Sequence, residues 1–194
     1  RNPVMILSDG AIGQMMEKVT FGNYTVHKVD KPWATTGKPK SRPRNYITSL
    51  HIQPEKMEVH NNRLVDKYKE VEKNEVRYEE IMTEDADYIF VAYGLSARIC
   101  HKAAIMAREK GIKAGMFRPI TLFPYPYKRL NELADRVKFF LTVELNAGQM
   151  VEDVRLGVNG KIPVEFYGRL GGMVPDPEEI VNKLENLISN KNVN

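Results

Sequence analysis

The residues of this chain best suited to chemistry lie in the string VELNAGQM, where a predicted strand meets a predicted helix. Glu144, Asn146 and Gln149 place one carboxylate and two amides around Gly148. The first backbone amides of a helix have no partner within the helix, so these side chains and the helix start converge on one place. Two interpretations stay open: an anion or cofactor site, and helix capping with buried polar pairing across an interface.

A second string, RPITLFPYP at 118–126, follows directly on another predicted strand. We add Arg118, its first residue, to the candidate cofactor contacts. Its three prolines stiffen the loop, because proline fixes its own backbone angle. The expected tip of the loop is apolar and consists of Leu122, Phe123 and Tyr125. Apolar tips of this kind are typical of contacts with another domain or subunit.

Other reactive residue types form no recognisable site. Cys100 and His101 are adjacent in a predicted helix, so their side chains point about 100° apart and do not form a nucleophile and base pair. Gly94 is the single glycine where a phosphate-binding fingerprint needs three, and a tight turn explains it better. Three further histidines have no cysteine or carboxylate at metal-ligand spacing: His27, His51 and His60. We predict no catalytic residue and no metal site.

Composition excludes several classes of protein. The 194 residues are 42% hydrophobic and 28% charged, which is typical of a globular chain of one domain or one domain with pieces of another. The net charge of +4 is concentrated between Lys28 and Arg44, and one basic loop is a weak indication of nucleic-acid binding. No apolar run approaches the roughly 20 residues needed to cross a bilayer. We predict neither a nucleic-acid nor a membrane partner.

Two further features bear on the origin of the chain. One cysteine excludes an internal disulfide and, together with nine methionines, indicates a reducing cytoplasm. Arg1 leads almost directly into an apolar segment without a signal-like region, so we expect the chain to be cut from something longer.

The elements that position the candidate residues form an α/β pattern from residue 84 onward. Residues 88–93 are apolar throughout, as in a strand buried on both faces, and Ser96 is the predicted N-cap of a helix that Gly111 ends. Further strands are predicted at 112–118, 137–144 and 164–167, and further helices at 127–135, 149–156 and 177–189, the last capped by Asp176. Right-handed crossovers arrange these elements as a parallel-rich open sheet with helices on both faces. Ligands and partners of such sheets contact the strand ends.

The first part of the chain is less regular. We predict a strand at 3–8 and a helix at 12–19 from the apolar spacing. Residues 31–45 contain three prolines and are predicted to be a crossover loop. Residues 54–82 carry a narrow apolar stripe at helical spacing. We interpret them as one or two helices lying across a neighbouring domain or subunit, with a coiled coil as the alternative.

Five strings occur in order along the chain: PVMILSDGAIGQMME, DADYIFVAYGLSARI, GIKAGMFRPITLFPYP, FLTVELNAGQMVEDVR and PVEFYGRLGG. In this order they resemble the α subunit of the thiamine-dependent 2-oxoacid:ferredoxin oxidoreductases, in particular the 2-oxoisovalerate or 2-oxoglutarate type. The resemblance implies that residues 1–30 are the terminal strand and helix of a pyrimidine-binding thiamine domain. Residues 31–83 are then a linker with a basic loop and a long helix, and residues 84–194 an α/β domain similar to the transketolase C-terminal domain.

The resemblance also implies an activity, which is oxidative decarboxylation of a 2-oxoacid to an acyl-CoA with electrons passed to ferredoxin. The implied cofactors are thiamine diphosphate with Mg²⁺, coenzyme A as co-substrate, and iron–sulfur clusters on partner subunits. The implied partners are the thiamine-binding β subunit, the γ and ferredoxin-like subunits, and ferredoxin.

This chain lacks the segments that supply the thiamine-binding glutamate and the magnesium ligands, and its one cysteine cannot hold a cluster, which takes four. We therefore expect no tightly bound cofactor and no turnover by the isolated chain. Its expected role is subunit assembly and the rim of the active site. Two alternatives remain: a stand-alone module that binds a nucleotide or another anion at its strand ends, and the C-terminal domain of another thiamine diphosphate enzyme. The isolated chain is also a candidate homodimer, and the residues do not select one 2-oxoacid.

Overall fold

The structure is a computed structural model that describes residues 3–23, 25, 29–38 and 40–191. The chain consists of two compact units, Arg1–Lys67 and Tyr68–Asn194. Three residues used in the sequence argument lie outside the described ones: Arg1, His27 and Lys28. No helix within the described ranges is long and apolar enough to span a membrane.

Before residue 54 the first unit contains little regular structure. Helix α1 spans Gly10–Gln14, and Asp9 caps it by accepting a hydrogen bond from the Ile12 amide at 2.8 Å. The predicted strand at 3–8 is wrong, because these residues are exposed and form no strand. The predicted helix at 12–19 is also wrong in its bounds, since it starts earlier and is much shorter. An apolar run becomes a strand only when a neighbouring strand pairs with its backbone.

The predicted crossover loop at 31–45 is irregular over its described residues. The side-chain amide of Asn45 donates to the carbonyl oxygens of Pro32 at 2.5 Å and Ala34 at 3.2 Å. Arg42 also donates to the Ala34 carbonyl, at 3.3 Å. These bonds close the base of the loop, while its other lysine and arginine side chains remain exposed.

The long predicted helix at 54–82 is wrong at its end. Helix α2 spans Pro54–Asn74 and has no buried residue, and strand β1 follows at Tyr78–Ile81. β1 pairs antiparallel with a later strand, with Ile81 opposite Met116. Sheet pairing therefore overrides the helical spacing of a short segment, as tertiary context often does.

The second unit is built on a five-stranded sheet. Its other strands are β2 (Tyr88–Val91), β3 (Ala114–Pro119), β4 (Phe139–Glu144) and β5 (Val164–Gly168). The order across the sheet is β1-β3-β2-β4-β5. β2, β3, β4 and β5 are mutually parallel, and β1 is an antiparallel edge strand. The predicted parallel-rich α/β class is confirmed, and β1 was missed because it falls in the predicted linker.

Helices cover both faces of this sheet. They are α3 (Gly94–Glu109), α4 (Tyr127–Leu133), α5 (Met150–Val158) and α6 (Pro177–Lys191). β4 shows how the core divides: Leu141 and Val143 belong to the core beneath α3 and α6, and Phe140 to the core beneath α4 and α5. This alternation follows from the two-residue period of a strand.

The predicted caps are partly right. Gly111 has φ +81° and ends α3 in the left-handed region, as predicted. Asp176 accepts a hydrogen bond from the Glu178 amide at 3.1 Å, also as predicted. The predicted cap Ser96 is wrong: α3 begins at Gly94 after Tyr93, and Ser96 is buried in its first turn.

Candidate functional site

The candidate site lies where the parallel strands end. The register places Val91 beside both Phe117 and Thr142, and Glu144 beside Gly168. Loops 120–126, 145–149 and 169–175 therefore leave the sheet at one edge, which we call the carboxyl edge. The opposite edge, which we call the amino edge, consists of loops 84–87, 110–113, 134–138 and 159–163.

Glu144 is the centre of the polar cluster at the carboxyl edge. Only 1% of it is exposed. Its two carboxylate oxygens accept hydrogen bonds from the Met150 and Val151 amides, each at 2.9 Å, and from the Gln149 amide at 3.3 Å. The Asn146 side chain adds a fourth donor at 3.0 Å. Glu144 therefore caps the start of α5 from within the strand before it.

This arrangement bears on the two interpretations left open by the sequence. The Glu144 carboxylate accepts hydrogen bonds from the otherwise unpaired backbone amides at the start of α5. An external anion could bind these amides only by displacing the Glu144 carboxylate. The side-chain oxygen Oδ1 of Asn146 accepts a hydrogen bond from the Gly148 backbone amide at 2.7 Å, which fixes the turn between strand and helix. The Gln149 side chain is exposed, and only the backbone N–H of Gln149 joins the cluster. The geometry favours helix capping, and cofactor contact by these residues stays a prediction.

Arg118 is not brought to this cluster. It lies near the end of β3, and β2 separates that strand from β4. Its guanidinium donates to the Glu79 carboxylate on β1 at 3.0 Å. The structure therefore brings together Glu144, Asn146 and Gln149 and leaves Arg118 in an ion pair across β1 and β3.

Sequence reasoning missed three tyrosine hydroxyls near the carboxylates of Glu144 and Asp153. The pKa of Tyr93 is raised by burial and by the nearby Glu144 charge. The pKa of Tyr125 is raised by burial and by the charges of Asp153 and Glu144. The Tyr127 hydroxyl donates to Asp153 at 2.6 Å, which together with burial raises the pKa of Tyr127 to about 12. These phenols stay protonated at neutral pH and do not act as bases. Tyr127 donates to Asp153, whereas the buried Tyr125 hydroxyl has no hydrogen-bond partner among the described residues.

Tyr125 also corrects one sequence prediction. It was expected at the apolar tip of the 118–126 loop, but it is 5% exposed. Leu122 and Phe123 do form the tip, with 49% and 62% of each residue exposed. Beside this tip lies a groove of about 810 Å³, whose aromatic lining is Tyr78, Phe123, Tyr125 and Tyr127. The groove depends on β1, which explains why the sequence did not indicate it.

The remaining reactive groups that the structure describes do not form a catalytic site. Cys100 is fully buried, which raises the pKa of its thiol, whereas its neighbour His101 is exposed. Across the described ranges, no group of three or more His, Cys, Asp or Glu side chains is placed to hold a metal ion. The arrangement suits binding and positioning.

The two edges differ sharply in surface chemistry. The three loops that follow parallel strands at the carboxyl edge contain one charged residue, Arg169, which is paired with Glu179 at 2.9 Å. Residues 75–77, which lead into the antiparallel β1 at the same edge, add Glu75 and Arg77, which pair with each other at 2.9 Å. The four loops of the amino edge contain nine charged residues. Of the exposed large hydrophobic residues that the structure describes, seven lie in the carboxyl-edge loops and none in the amino-edge loops. The seven are Ile120, Leu122, Phe123, Leu145, Leu170, Met173 and Val174.

Fold and site together define an open, parallel-rich α/β domain that presents an apolar surface at its strand ends. Comparison with known proteins then specifies the family. Residues 86–180 match the family model described as Pyruvate:ferredoxin oxidoreductase core domain II.

Two curated relatives match almost the whole chain. The chain is 42% identical over 193 residues to ketoisovalerate oxidoreductase subunit VorB of Methanothermobacter marburgensis, covering 99% of this chain and 54% of that protein. It is 30% identical over 210 residues to 2-oxoglutarate synthase subunit KorA of the same organism, covering 95% and 56%. The chain thus spans about half the length of the curated relatives it matches.

A solved structure supports the fold. The 2-oxoglutarate:ferredoxin oxidoreductase from Magnetococcus marinus superposes with a TM-score of 0.58 at 20% identity, over 70% of this chain and 24% of that chain. At this identity the likeness concerns the fold alone. Residues 86–180 are a core domain II of this family, and the chain is homologous along almost its whole length to subunits of 2-oxoacid:ferredoxin oxidoreductases. The predicted family is confirmed.

Proposed function

We propose that this chain is part of the α subunit of a 2-oxoacid:ferredoxin oxidoreductase in the cytoplasm. The complete enzyme oxidatively decarboxylates a 2-oxoacid to an acyl-CoA and passes the electrons to ferredoxin. The named relatives act on ketoisovalerate or 2-oxoglutarate, and both substrates remain candidates for this protein. Its proposed partners are the thiamine-binding, γ and ferredoxin-like subunits.

Within that enzyme, the second unit serves assembly and the rim of the active site. The observation that carries this proposal is the contrast between the two sheet edges. An edge without free charge and with seven exposed apolar side chains is unfavourable in water and is typical of a surface covered by other protein. The polar cluster of Glu144, Asn146 and Gln149 lies at the same edge, beside that surface.

The donor set of this chain does not fit the cofactors of the enzyme. An iron–sulfur cluster takes four thiolates, and the single Cys100 is buried. The described residues offer no carboxylate cluster for Mg²⁺, and Glu144 is already saturated by hydrogen bonds. Thiamine diphosphate, Mg²⁺ and the clusters therefore belong to other segments or subunits. Arg118, Glu144, Asn146 and Gln149 remain the residues of this chain proposed to lie near coenzyme A or substrate.

Reconstitution tests the proposal. The purified chain alone is expected to give no 2-oxoacid-dependent dye reduction, because the residues that the structure describes form no catalytic centre. Adding the remaining part of the α subunit with the thiamine-binding, γ and ferredoxin-like subunits is expected to restore turnover with 2-oxoisovalerate or 2-oxoglutarate. Turnover by the chain alone, or no turnover after full reconstitution, would refute the proposal.

Calorimetric titration separates this function from a stand-alone anion-binding module. Because Glu144 closes the start of α5, we expect no heat of binding when the isolated chain is titrated with coenzyme A, ATP or thiamine diphosphate. Tight binding of any of these ligands to the isolated chain would favour the module.

A further inference from the structure

The exposed apolar side chains of the carboxyl edge fall into two patches. The β3 patch is Ile120, Leu122 and Phe123, and the β5 patch is Leu170, Met173 and Val174. Leu145, in the loop after β4, lies between them. One apolar surface therefore runs along the strand ends.

The width of this surface limits what can cover it. β3 and β5 are separated by β2 and β4, so the two patches are three strand spacings apart, or about 14 Å. A small ligand bound at one patch would leave the other exposed to water. An occupant that covers both patches is a protein surface.

The chemistry of the surface indicates a permanent contact. Charged residues are depleted at the centre of stable interfaces, and obligate interfaces are the more apolar ones. The three loops after the parallel strands contain only Arg169 as a charged residue, and Glu179 neutralises it. The segment before β1 adds Glu75 and Arg77, which neutralise each other. A partner that binds and leaves again would expose both patches at each release.

We propose that the occupant is the remaining part of the same subunit, which packs across both patches. This inference rests on the proposed function. In VorB and KorA of Methanothermobacter marburgensis, the sequence matched by this chain is 54% and 56% of the protein, so about as much chain again is covalently joined to it. A covalently joined neighbour is always present, which is what a surface of this composition requires.

Binding between two separate polypeptides tests the inference. One is this chain, and the other is the part of the Methanothermobacter marburgensis VorB subunit that the chain does not match. Three variants are compared with the unmodified chain: L122D/F123D in the β3 patch, L170D/M173D in the β5 patch, and L156D as the matched control. Leu156 is 66% exposed on α5 and lies outside the carboxyl-edge loops.

We expect a one-to-one complex for the unmodified chain and for L156D. Each patch variant is expected to weaken binding by at least about tenfold, since the loss of a central apolar anchor commonly costs this much. Circular dichroism checks that each variant is folded, and L122S/F123S and L170S/M173S replace any aspartate variant that is not.

Three results would overturn the inference. These are the absence of a complex with the unmodified chain, equal binding by the patch variants and L156D, and a homodimer of the chain alone that the patch variants dissociate. The last result would identify a second copy as the occupant. Failure of the proposed function is distinguishable, because it appears as lack of turnover in a reconstituted enzyme whose two α-subunit parts still bind through these patches.

Discussion

The carboxyl and amino edges of the sheet differ in the polarity of the side chains that they expose to water. The amino edge carries nine charged residues in four loops, and ion pairs tie it together, among them Asp85 with Arg108 at 2.6 Å and Asp135 with Lys161 at 2.6 Å. The carboxyl edge carries three charged residues, each in an ion pair, and seven exposed apolar side chains: Glu75 pairs with Arg77, and Arg169 with Glu179. The charged amino edge is suited to contact with water, whereas the apolar carboxyl edge is suited to contact with another protein surface.

The carboxyl edge is nevertheless rigid at its centre. Glu144 holds the start of α5 through backbone amides, and it needs no ligand to do so. Internal hydrogen bonds therefore set the shape of this edge, while its apolar tips are left for another protein surface. This separation of roles can be tested residue by residue.

The largest effect is expected for Glu144→Ala at the carboxyl edge. The substitution leaves the amides of Gln149, Met150 and Val151 without their acceptor in a buried place. We expect a loss of about 3–5 kcal/mol in the free energy of unfolding. Urea denaturation measures it, with the exposed Glu109→Ala on α3 as control, expected within about 0.5 kcal/mol of the unmodified chain. A loss below about 1 kcal/mol for Glu144→Ala would show that the cap is dispensable.

The next effect concerns packing at the amino edge. A Cβ at Gly115 would lie 2.5 Å from the Met82 carbonyl oxygen and 3.1 Å from the Ala86 Cβ. Gly115→Ala is expected to lower the free energy of unfolding by about 1–3 kcal/mol, because the strand has to shift. The control is Gly157→Ala in α5, where the new Cβ has no neighbour closer than 3.4 Å. It is expected to be neutral or to stabilise by up to about 1 kcal/mol, and equal effects at both sites would contradict the account.

A smaller, pH-dependent effect is expected where β1 meets α4. Arg129 donates to both oxygens of Glu80 at 2.6 and 3.1 Å, and Thr83 donates at 2.6 Å. Burial raises the pKa of Glu80, but the bonds from Arg129 and Thr83 outweigh it and hold the pKa below the ordinary 4.5. A lowered carboxyl pKa stabilises the fold above the unfolded-state value and loses that contribution as pH falls through the folded-state value.

Unfolding at several pH values measures this contribution. Between about pH 6 and about pH 3, the unmodified chain is expected to lose on the order of 1 kcal/mol more stability than Glu80→Gln. Parallel pH profiles for the two proteins would show that this contact does not contribute to the pH dependence.

The smallest effect is expected at the charged surface of the amino edge. Lys138 pairs with Asp87 at 3.3 Å, and both side chains are well exposed. Lys138→Ala is expected to lower the midpoint of thermal unfolding only slightly, and by less at high salt. It is also expected to leave binding to the rest of the subunit unchanged. Weaker binding by Lys138→Ala would show that the rest of the subunit contacts the amino edge, which contradicts the account.

The sequence predicted the sheet well because its central strands are apolar on both faces. The runs at 88–93 and 137–144 are typical of strands buried on both faces of a parallel sheet. β1 was missed because YEEI is short and half charged, and only its pairing with β3 makes it a strand. The run at 3–8 failed for the converse reason, since an apolar segment without a partner is not a strand.

The site was predictable in residue types but not in bonding. Sequence reasoning located Glu144, Asn146 and Gln149 at a helix start and left open whether they bind a ligand or cap the helix. The decision depends on the turn at Gly148, which aims the α5 amides at the carboxylate. Tyr125 is buried although Phe123, two residues earlier, is exposed. This difference depends on the conformation of the loop, which the spacing of residues in the sequence does not predict.

The central claim is that the carboxyl edge is covered in the assembled subunit. Hydroxyl-radical footprinting with mass spectrometry tests it on the chain alone and on its complex with the unmatched part of VorB. Phe123 and Met173, each more than half exposed in the chain, are the probes at the carboxyl edge, and Leu156 is the reference outside it. We predict at least about fivefold protection of Phe123 and Met173 and none of Leu156, as expected when side chains enter a water-excluding interface. Unchanged labelling of Phe123 and Met173 in the complex would contradict the account.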